Sequence, residues 1–307
     1  MVFPNKDIYI GEWDFNMCHG PGLMLFANGS VYNGDWDDNH QTGQGQLEYA
    51  NGDVYVGEFL HGQRHGEGKH FYLKKSSNAT NYQTQPPTAT QDREGSTTKA
   101  PKYIGSYVPD EKCGPRNLSE GSVYHGDWLE DEKCGVGKMT FSNGDVYEGC
   151  FRNDMQHGDG TLSLCDGSVF VGQFEQDRMH GIGKMLHSNG STYEGEWCRG
   201  VRHGQGMQTA SNGDAYYAGH YVNDKMSGQG TLRTAESEYD GHFLEDLKHG
   251  TGTLQMQSGA VYAGDWVAGE MHGHGLYQTT QYSYEGSFMC GKKHGRGVLT
   301  AADGSDC

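Results

Sequence analysis

The chain has 307 residues and a formal net charge of −17. Apolar residues make up 34% and mean hydropathy is −0.79, so a large two-layer core is excluded. The acidity disfavours nucleic acid and anionic lipid surfaces as partners, and no apolar run approaches the roughly 18 residues of a membrane span.

From the amino terminus, Met1 to Asp7 lack the basic-then-apolar character of a signal peptide, and a cytoplasmic location is expected. A motif, Tyr-x-Gly-x-Trp/Phe followed by His-Gly-x-Gly-x-Leu/Met, then recurs about every 23 residues, the mark of one stacked supersecondary unit. Its first position is Tyr9, Tyr32, Tyr55, Tyr103, Tyr124, Tyr147, Phe170, Tyr193, Tyr217, Tyr239, Tyr262 and Tyr284. Glycine accounts for 49 residues, about twice its usual share of roughly 7%, and the excess falls at fixed motif positions.

The copy from Tyr147 to Val169 illustrates the unit. Alternate residues of a strand share a face, so Tyr147, Gly149 and Phe151 point together. Arg152-Asn153-Asp154-Met155-Gln156 suit a hairpin loop, and Gly158, Gly160 and Leu162 then share a face of a second strand. Glycine weakens a strand, so its fixed recurrence marks close packing over the backbone, here by the aromatic ring. Asn-Gly or Asp-Gly at 28–29, 51–52, 143–144, 166–167, 189–190 and 212–213 predicts a turn into the next copy. The predicted fold is all-β, an elongated single-layer antiparallel meander of about twelve hairpins forming a twisted rod or trough. About 24 strands at about 4.8 Å each would span on the order of 115 Å.

The rhythm sets the domain boundaries. Residues 1–73 hold three copies, 74–102 form a flexible Ser/Thr/Gln/Pro-rich insertion, 103–299 hold nine copies, and 300–307 are a short tail. The copy at Tyr103 is degenerate, with Cys113 and Arg116 in place of its histidine and second glycine. One extra residue near Tyr216-Tyr217 predicts a β-bulge. The turn before Tyr239 lacks Asn-Gly, so register there is expected to be loosely set.

Eight histidines (His19, His65, His157, His180, His203, His249, His272, His294) share one motif position. Equivalent atoms two strands apart are separated by roughly 10 Å, while Zn–N bonds are about 2.0–2.1 Å. These rings are therefore read as closing the hairpin and bonding loop backbone. Glycine pairs such as Gly158 and Gly160 lack the helix and Lys-Ser/Thr of a phosphate cradle. No nucleophile–base set stands apart from the repeat, so no catalysis, metal or cofactor is expected. The cysteines show no Cys-x-x-Cys pair and no disulfide framework.

Two surfaces stand out. Glu12, Asp35, Glu58, Asp127, Glu196 and Asp265 share one register opposite the aromatics and form a candidate acidic stripe. Lys69 and Lys138 would pair with Glu58 and Asp127 across their hairpins. Tyr124, Trp128, Tyr147, Phe151, Phe170, Phe174, Tyr193 and Trp197 form an aromatic ladder that a single layer leaves uncovered, and such a face suits a partner.

Tyr193-Glu194-Gly195-Glu196-Trp197 and His203-Gly204-Gln205-Gly206-Met207 closely resemble the MORN repeat (membrane occupation and recognition nexus). The resemblance covers nearly the whole chain apart from the insertion and the ends. Among family members are membrane tethers, lipid kinases, a histone methyltransferase and cytoskeletal proteins. Repeats-only members resemble radial-spoke head and other axonemal components, which implies a non-catalytic scaffold in the ciliary or other cytoskeleton. The resemblance also implies a partner segment lying along the Tyr and Trp/Phe pairs just named. Expected partners are proteins of such an assembly, with self-association through sheet edges. A peripheral membrane tether and a single-partner adaptor are the alternatives.

Overall fold

The computed structural model describes residues 1–73 and 121–301, which contain 22 strands and no helix. They divide into two compact units, residues 1–73 with 121–166, and residues 167–301. The first unit holds β1 (Ile8–Asp14), β2 (Met17–Leu25), β3 (Val31–Asp37), β4 (His40–Glu48), β5 (Val54–Leu60) and β6 (Gln63–Phe71). It continues with β7 (Val123–Leu129), β8 (Glu132–Thr140), β9 (Val146–Arg152) and β10 (Met155–Ser163). The second unit holds β11 (Val169–Glu175), β12 (Arg178–Leu186), β13 (Thr192–Cys198), β14 (Val201–Thr209), β15 (Tyr216–Val222) and β16 (Lys225–Arg233). It ends with β17 (Ser237–Leu244), β18 (Leu247–Met256), β19 (Val261–Val267), β20 (Glu270–Gln278), β21 (Tyr282–Met289) and β22 (Lys292–Ala301). Within each unit every strand pairs antiparallel with the next in the chain, so each unit is a β-meander.

The turn that joins the two strands of a repeat is shorter than the sequence suggests. Asn153 and Asp154 alone make it, both at positive φ (49° and 66°), and β10 starts at Met155. Asp38-Asn39, Gln176-Asp177, Asn223-Asp224 and Glu245-Asp246 repeat this geometry. Positive φ at both central positions defines the turn whose twist matches that of the flanking strands. Arg152, Met155 and Gln156, expected in the loop, are ladder residues, Met155 facing Arg152 and Gln156 facing Phe151, and the second strand then bulges. In β11–β12, Gly172 faces Gly183 while the adjacent Gln173 faces His180, leaving Gly181 and Ile182 as extra residues.

The Asn-Gly dipeptides serve the opposite edge. There the chain crosses to the next repeat through a five-residue loop, closed at 187–191 by His187 N–H to Ser191 C=O (2.9 Å) and Gly190 N–H to His187 C=O (2.8 Å). Only the glycine takes positive φ, 85° at Gly190. The asparagine instead accepts from the backbone two residues on, as Asn189 Oδ1 does from Ser191 N–H (2.9 Å). The residue after the glycine ties its loop to the next one: Ser168 Oγ accepts from Ser188 N–H (2.9 Å) and Asp53 Oδ1 from Leu73 N–H (2.8 Å).

Two expected irregularities differ. The extra residue before Tyr217 produces no bulge, because β14 and β15 stay in register from Gly204–Tyr221 to Thr209–Tyr216. It lengthens the loop instead, which closes from Ala210 N–H to Ala215 C=O. The turn before Tyr239 is also firmly set. Thr234 Oγ1 accepts from Ser237 N–H (3.1 Å) and donates to Ser237 C=O (3.2 Å), a side-chain clasp in place of Asn-Gly. Thr279 and Tyr282 form the same clasp.

The segment 74–102 and the copy at Tyr103 lie outside the described residues. β6 pairs directly with β7, from Gly66–Trp128 to Phe71–Val123, so the described residues contain eleven hairpins. Tyr72 N–H donates to Ser122 C=O (3.0 Å) and Gly121 N–H to Tyr72 C=O (2.7 Å). These are the closures made at Tyr49 by Asp53 and Gly52. Aligned on that loop, residues 74–120 replace the single residue Asn51. Joining Leu73 to Gly121 through one asparagine should therefore leave the sheet intact. Loop-closure entropy predicts a stability gain of about 2 kcal/mol. A lower Tm or loss of cooperative melting in that variant would refute the alignment.

Candidate interaction surface

Each repeat is built around a ring lying on glycine. In β9–β10 the Tyr147 ring covers the facing pair Gly149 and Gly160, and a Cβ on Gly160 would lie 2.5 Å from the phenolic oxygen. The hydroxyl then donates to the carbonyl three residues on, as from Tyr147 to Cys150 (2.9 Å) and from Tyr193 to Glu196 (3.0 Å). Tyr9, Tyr32, Tyr55, Tyr124, Tyr217, Tyr239, Tyr262 and Tyr284 do the same. Burial raises the phenols of Tyr9, Tyr32, Tyr55, Tyr124 and Tyr193, and those of Tyr217, Tyr239 and Tyr262 to about 12, with nearby carboxylates adding to the shift. Phe170 occupies the same place without a hydroxyl, so the ring is essential and the hydrogen bond is additional.

The rings form edge-to-face ladders within each unit. Tyr124 meets Trp128 of its own hairpin at 5.2 Å and Phe151 of the next at 5.0 Å. Tyr193 meets Trp197 at 5.1 Å and Tyr221 at 5.2 Å. These Trp side chains also reach back, Trp128 Nε1 donating to Gly68 C=O (3.3 Å) and Trp197 Nε1 to Gly183 C=O (3.2 Å).

This packing overturns the expectation of an uncovered aromatic face. Tyr124, Tyr147, Phe170 and Tyr193 expose 0% of their surface, and Trp128, Phe151, Phe174 and Trp197 are also buried. Neighbouring rings close the ladder along the array. Side chains of the second strand, such as Met139 opposite Tyr124 and Met185 opposite Phe170, are buried beside them. The ladder is a core.

The acidic stripe also has a structural task. Asp127 Oδ2 accepts from Val136 N–H (3.0 Å), Glu196 Oε1 from Gln205 N–H (2.8 Å) and Asp265 Oδ2 from His274 N–H (2.9 Å). Each donor follows the positive-φ glycine of the bulge, Gly135, Gly204 or Gly273. Glu12, Asp35 and Glu58 lie against Gly20, Gly43 and Gly66 in the same way. In one repeat the neutral Gln173 does this work for Ile182 N–H (3.1 Å). Glu58 and Asp127 do not pair with Lys69 and Lys138, because the register sets those lysines opposite Val56 and His125. Lys138 instead meets Glu148 of the next hairpin at 2.5 Å, as Lys184 meets Glu194 at 3.0 Å.

The motif histidines also depart from expectation. Their carbonyls, not their rings, serve the hairpin, with Tyr9 donating to His19 C=O (3.4 Å) and Tyr262 to His272 C=O (3.3 Å). The rings of His19 and His180 face Asp37 (3.3 Å) and Glu175 (3.5 Å). Among the described residues no group of three or more His, Cys, Asp or Glu side chains has a metal-holding arrangement. Cys165 is disulfide-bonded, contrary to the expected absence of disulfides, while Cys18, Cys134, Cys150, Cys198 and Cys290 are free.

Buried cations carry a further contact that sequence reasoning missed. Arg202 Nη1 donates to Gln208 Oε1 (2.6 Å), Nη2 to Asp224 C=O (2.7 Å) and Nε to Asp224 Oδ1 (3.1 Å), with the guanidinium 5.0 Å from the Tyr221 ring. Arg64 repeats this with Asp131, His70 and Trp128. The available signal was an Asp at the second turn position one repeat after each Arg.

What the chain presents to solvent is the face opposite the tyrosines. In the second unit Val171, Ile182 and Met207 expose 54%, 59% and 44% among Lys184 and Glu194. Their positions recur every two strands, roughly 10 Å apart.

The MORN repeat pattern matches residues 9–31, 32–54, 55–72, 124–146, 147–169, 170–192, 193–215, 217–235, 239–261, 262–281 and 284–306, and the chain belongs to this family. Among curated proteins no sequence match was found. Similar solved structures include the TCP10 domain of Danio rerio CPAP in complex with a STIL peptide, at 12% identity and TM-score 0.27, covering 98% of this chain and 97% of that one. Another is the SAS-4 TCP domain of Drosophila melanogaster with a proline-rich motif of Ana2, at 10% identity and TM-score 0.31, covering 56% and 86%.

Two predictions follow the division of labour among these residues. Glu196→Gln should hold stability within about 0.5 kcal/mol, since Gln173 does the same task, whereas Glu196→Ala should cost about 1 kcal/mol. Urea melts check both, and an equal loss in the two variants would remove the capping role. His70 is held neutral, pushed down to about 4 by burial and by Arg64, against the opposing pull of Asp53. The unfolded chain then binds more protons between that value and the ordinary 6.5, so stability is full above about pH 6.5 and falls towards pH 4. His70→Gln, the side chain that serves Arg202, should flatten this part of the stability–pH curve. An unchanged acid limb would contradict the assignment.

Proposed function

We propose that the chain is a non-catalytic scaffold that binds protein segments in a cytoskeletal assembly, and that the assembly is ciliary. One observation carries the reading: the exposed face repeats solvent-facing apolar and charged side chains on a backbone locked by ring, glycine and bulge contacts. Such a surface offers many equivalent contacts at little ordering cost. The partner meets Val171, Ile182 and Met207 rather than the buried ladder, and the charge of −17 favours a basic segment. The resemblance to repeats-only axonemal proteins supports the ciliary setting.

The test is expression of the tagged chain in ciliated cells, with affinity capture beside a Val171→Asp/Ile182→Asp variant. Both side chains are exposed, so the variant should fold normally while losing most of the captured protein. Enrichment along the axoneme is expected. Diffuse distribution, equal capture by both forms, or salt-sensitive binding to acidic liposomes would overturn the proposal.

A further inference from the structure

The junction between consecutive repeats has two different sides. The incoming hairpin contributes its Trp Nε1, as Trp36 to Gly22 C=O (3.2 Å) and Trp266 to Gly252 C=O (3.1 Å). Its turn N–H donates to the second residue of the preceding strand, as Asn39 to Cys18 C=O (3.2 Å) and Asp246 to Met226 C=O (3.0 Å). Its turn Asn or Asp accepts from that residue's N–H, as Asn39 Oδ1 from Cys18 (2.9 Å) and Asp246 Oδ1 from Met226 (2.8 Å). Its Trp also covers the preceding Tyr, as Trp36 does Tyr9 at 5.4 Å.

Among the described residues both halves of this set stand open. Beyond Tyr9 the outer edge of β1 carries no strand, and neither does the outer edge of β22. Trp13 exposes 39%, against 4% or less for Trp36, Trp128, Trp197 and Trp266, and Asn16 holds the turn position of Asn39. On the other side Tyr284 packs against Phe288 of its own hairpin and exposes 8%, where Tyr193, Tyr217 and Tyr262 expose 0%. Lys293 holds the position of Arg64 and Arg202, and Gly297 that of Gly252.

We propose that copies of this chain associate head to tail, β22 of one copy pairing with β1 of the next as an ordinary repeat junction. The register follows from β18–β19, where Gly250, Thr251, Gly252 and Thr253 face Trp266, Asp265, Gly264 and Ala263. It places Gly295 opposite Trp13, Arg296 opposite Glu12, Gly297 opposite Gly11 and Val298 opposite Ile10. Trp13 then donates to Gly297 C=O and covers Tyr284, while Asn16 closes on Lys293. The charges fit: β22 carries Lys292, Lys293 and Arg296, and β1 carries Glu12 and Asp14. At the internal positions equivalent to Arg296 and Glu12 no described junction opposes Arg or Lys to Asp or Glu; Glu67–Asp127 and Thr251–Asp265 are examples. Val298 and Ile10, both exposed by about 60%, would cover each other.

Edge lysines also guard strands against unwanted pairing. That reading leaves the open set on β1 unexplained. Contacts of the amino-terminal segment oppose assembly: Met1 pairs with Tyr9 (2.7 and 2.9 Å) and Val2 with Ile8, where Leu299 and Thr300 of a neighbour would sit, and the Phe3 ring lies 6.3 Å from that of Trp13. Met1 and Val2 expose about 70%, so this short segment is displaced on docking.

Sedimentation velocity of the 307-residue chain over a wide concentration range tests the proposal. A heterologous contact leaves an unused partner surface at each end and builds rings or filaments, so mass should grow past the dimer. Removal of residues 2–6 should promote the growth. Arg296→Glu or Glu12→Arg alone should weaken association about fivefold, and the two together should restore it. Cysteines placed at Ile10 and Val298 of separate chains should cross-link, since facing Cβ atoms lie about 5 Å apart. The proposal fails if the shortened chain stays monomeric, if growth stops at a dimer, or if the charge swap gives no rescue while circular dichroism shows folded protein.

Discussion

The approach of a tyrosine ring to two facing glycines determines the rest of each repeat. A ring can lie flat on a strand pair only where neither strand carries a Cβ beneath it. Lying there, its hydroxyl reaches the carbonyl three residues on, at the place where the second strand bulges. The bulge needs a residue at positive φ, so a glycine precedes the glycine under the ring, 62° at Gly181 before Gly183. The N–H beyond it then finds the carboxylate or amide projecting from the first strand. Tyr, Gly, Glu and the His-Gly-x-Gly run are thus one linked device, and losing one member exposes a polar group belonging to another.

Successive devices are joined by contacts made with different groups on the two sides. The indole, the turn amide and the turn carboxylate of one hairpin all reach back to the strand before it. Each hairpin therefore presents one set of groups to the repeat before it and a different set to the repeat after it. A stack of such units is polar from end to end, unlike a sandwich in which two equivalent faces meet.

The parts of this arrangement that depend on side-chain type were legible in the sequence. Tyr147 over Gly149 and Gly160 followed from alternation and from the cost of glycine in a strand. The turns were not. Asn153-Asp154, Gln176-Asp177 and Ala268-Gly269 share a backbone conformation but no residue pattern, while the visible Asn-Gly pairs belong to the other edge. The aromatic face was misread for a related reason. Strand alternation tells which side a ring takes, yet it does not tell that Phe151 and Trp128 will enclose Tyr124 from two repeats. The acids looked like a surface because their partners are backbone N–H groups created by a bulge that spacing alone does not reveal.

The place where the array accepts its long insertion follows the same logic. Leu73 and Gly121 stand 48 positions apart in the sequence, yet β6 and β7 pair directly. That junction is among the most heavily tied. Arg64 reaches Asp131 through side chain and backbone, its guanidinium stacks 4.1 Å from Trp128, and Trp128 bonds Gly68. His70 packs between Tyr72 and Trp128, and its Nδ1 accepts from Arg64 Nη1. Arg64 is partly buried and the Asp131 carboxylate half-exposed, so the junction is held by the ring, indole and backbone contacts together rather than by the ion pair alone. The insertion is tolerated because the junction beneath it does not depend on a short connection to hold its register.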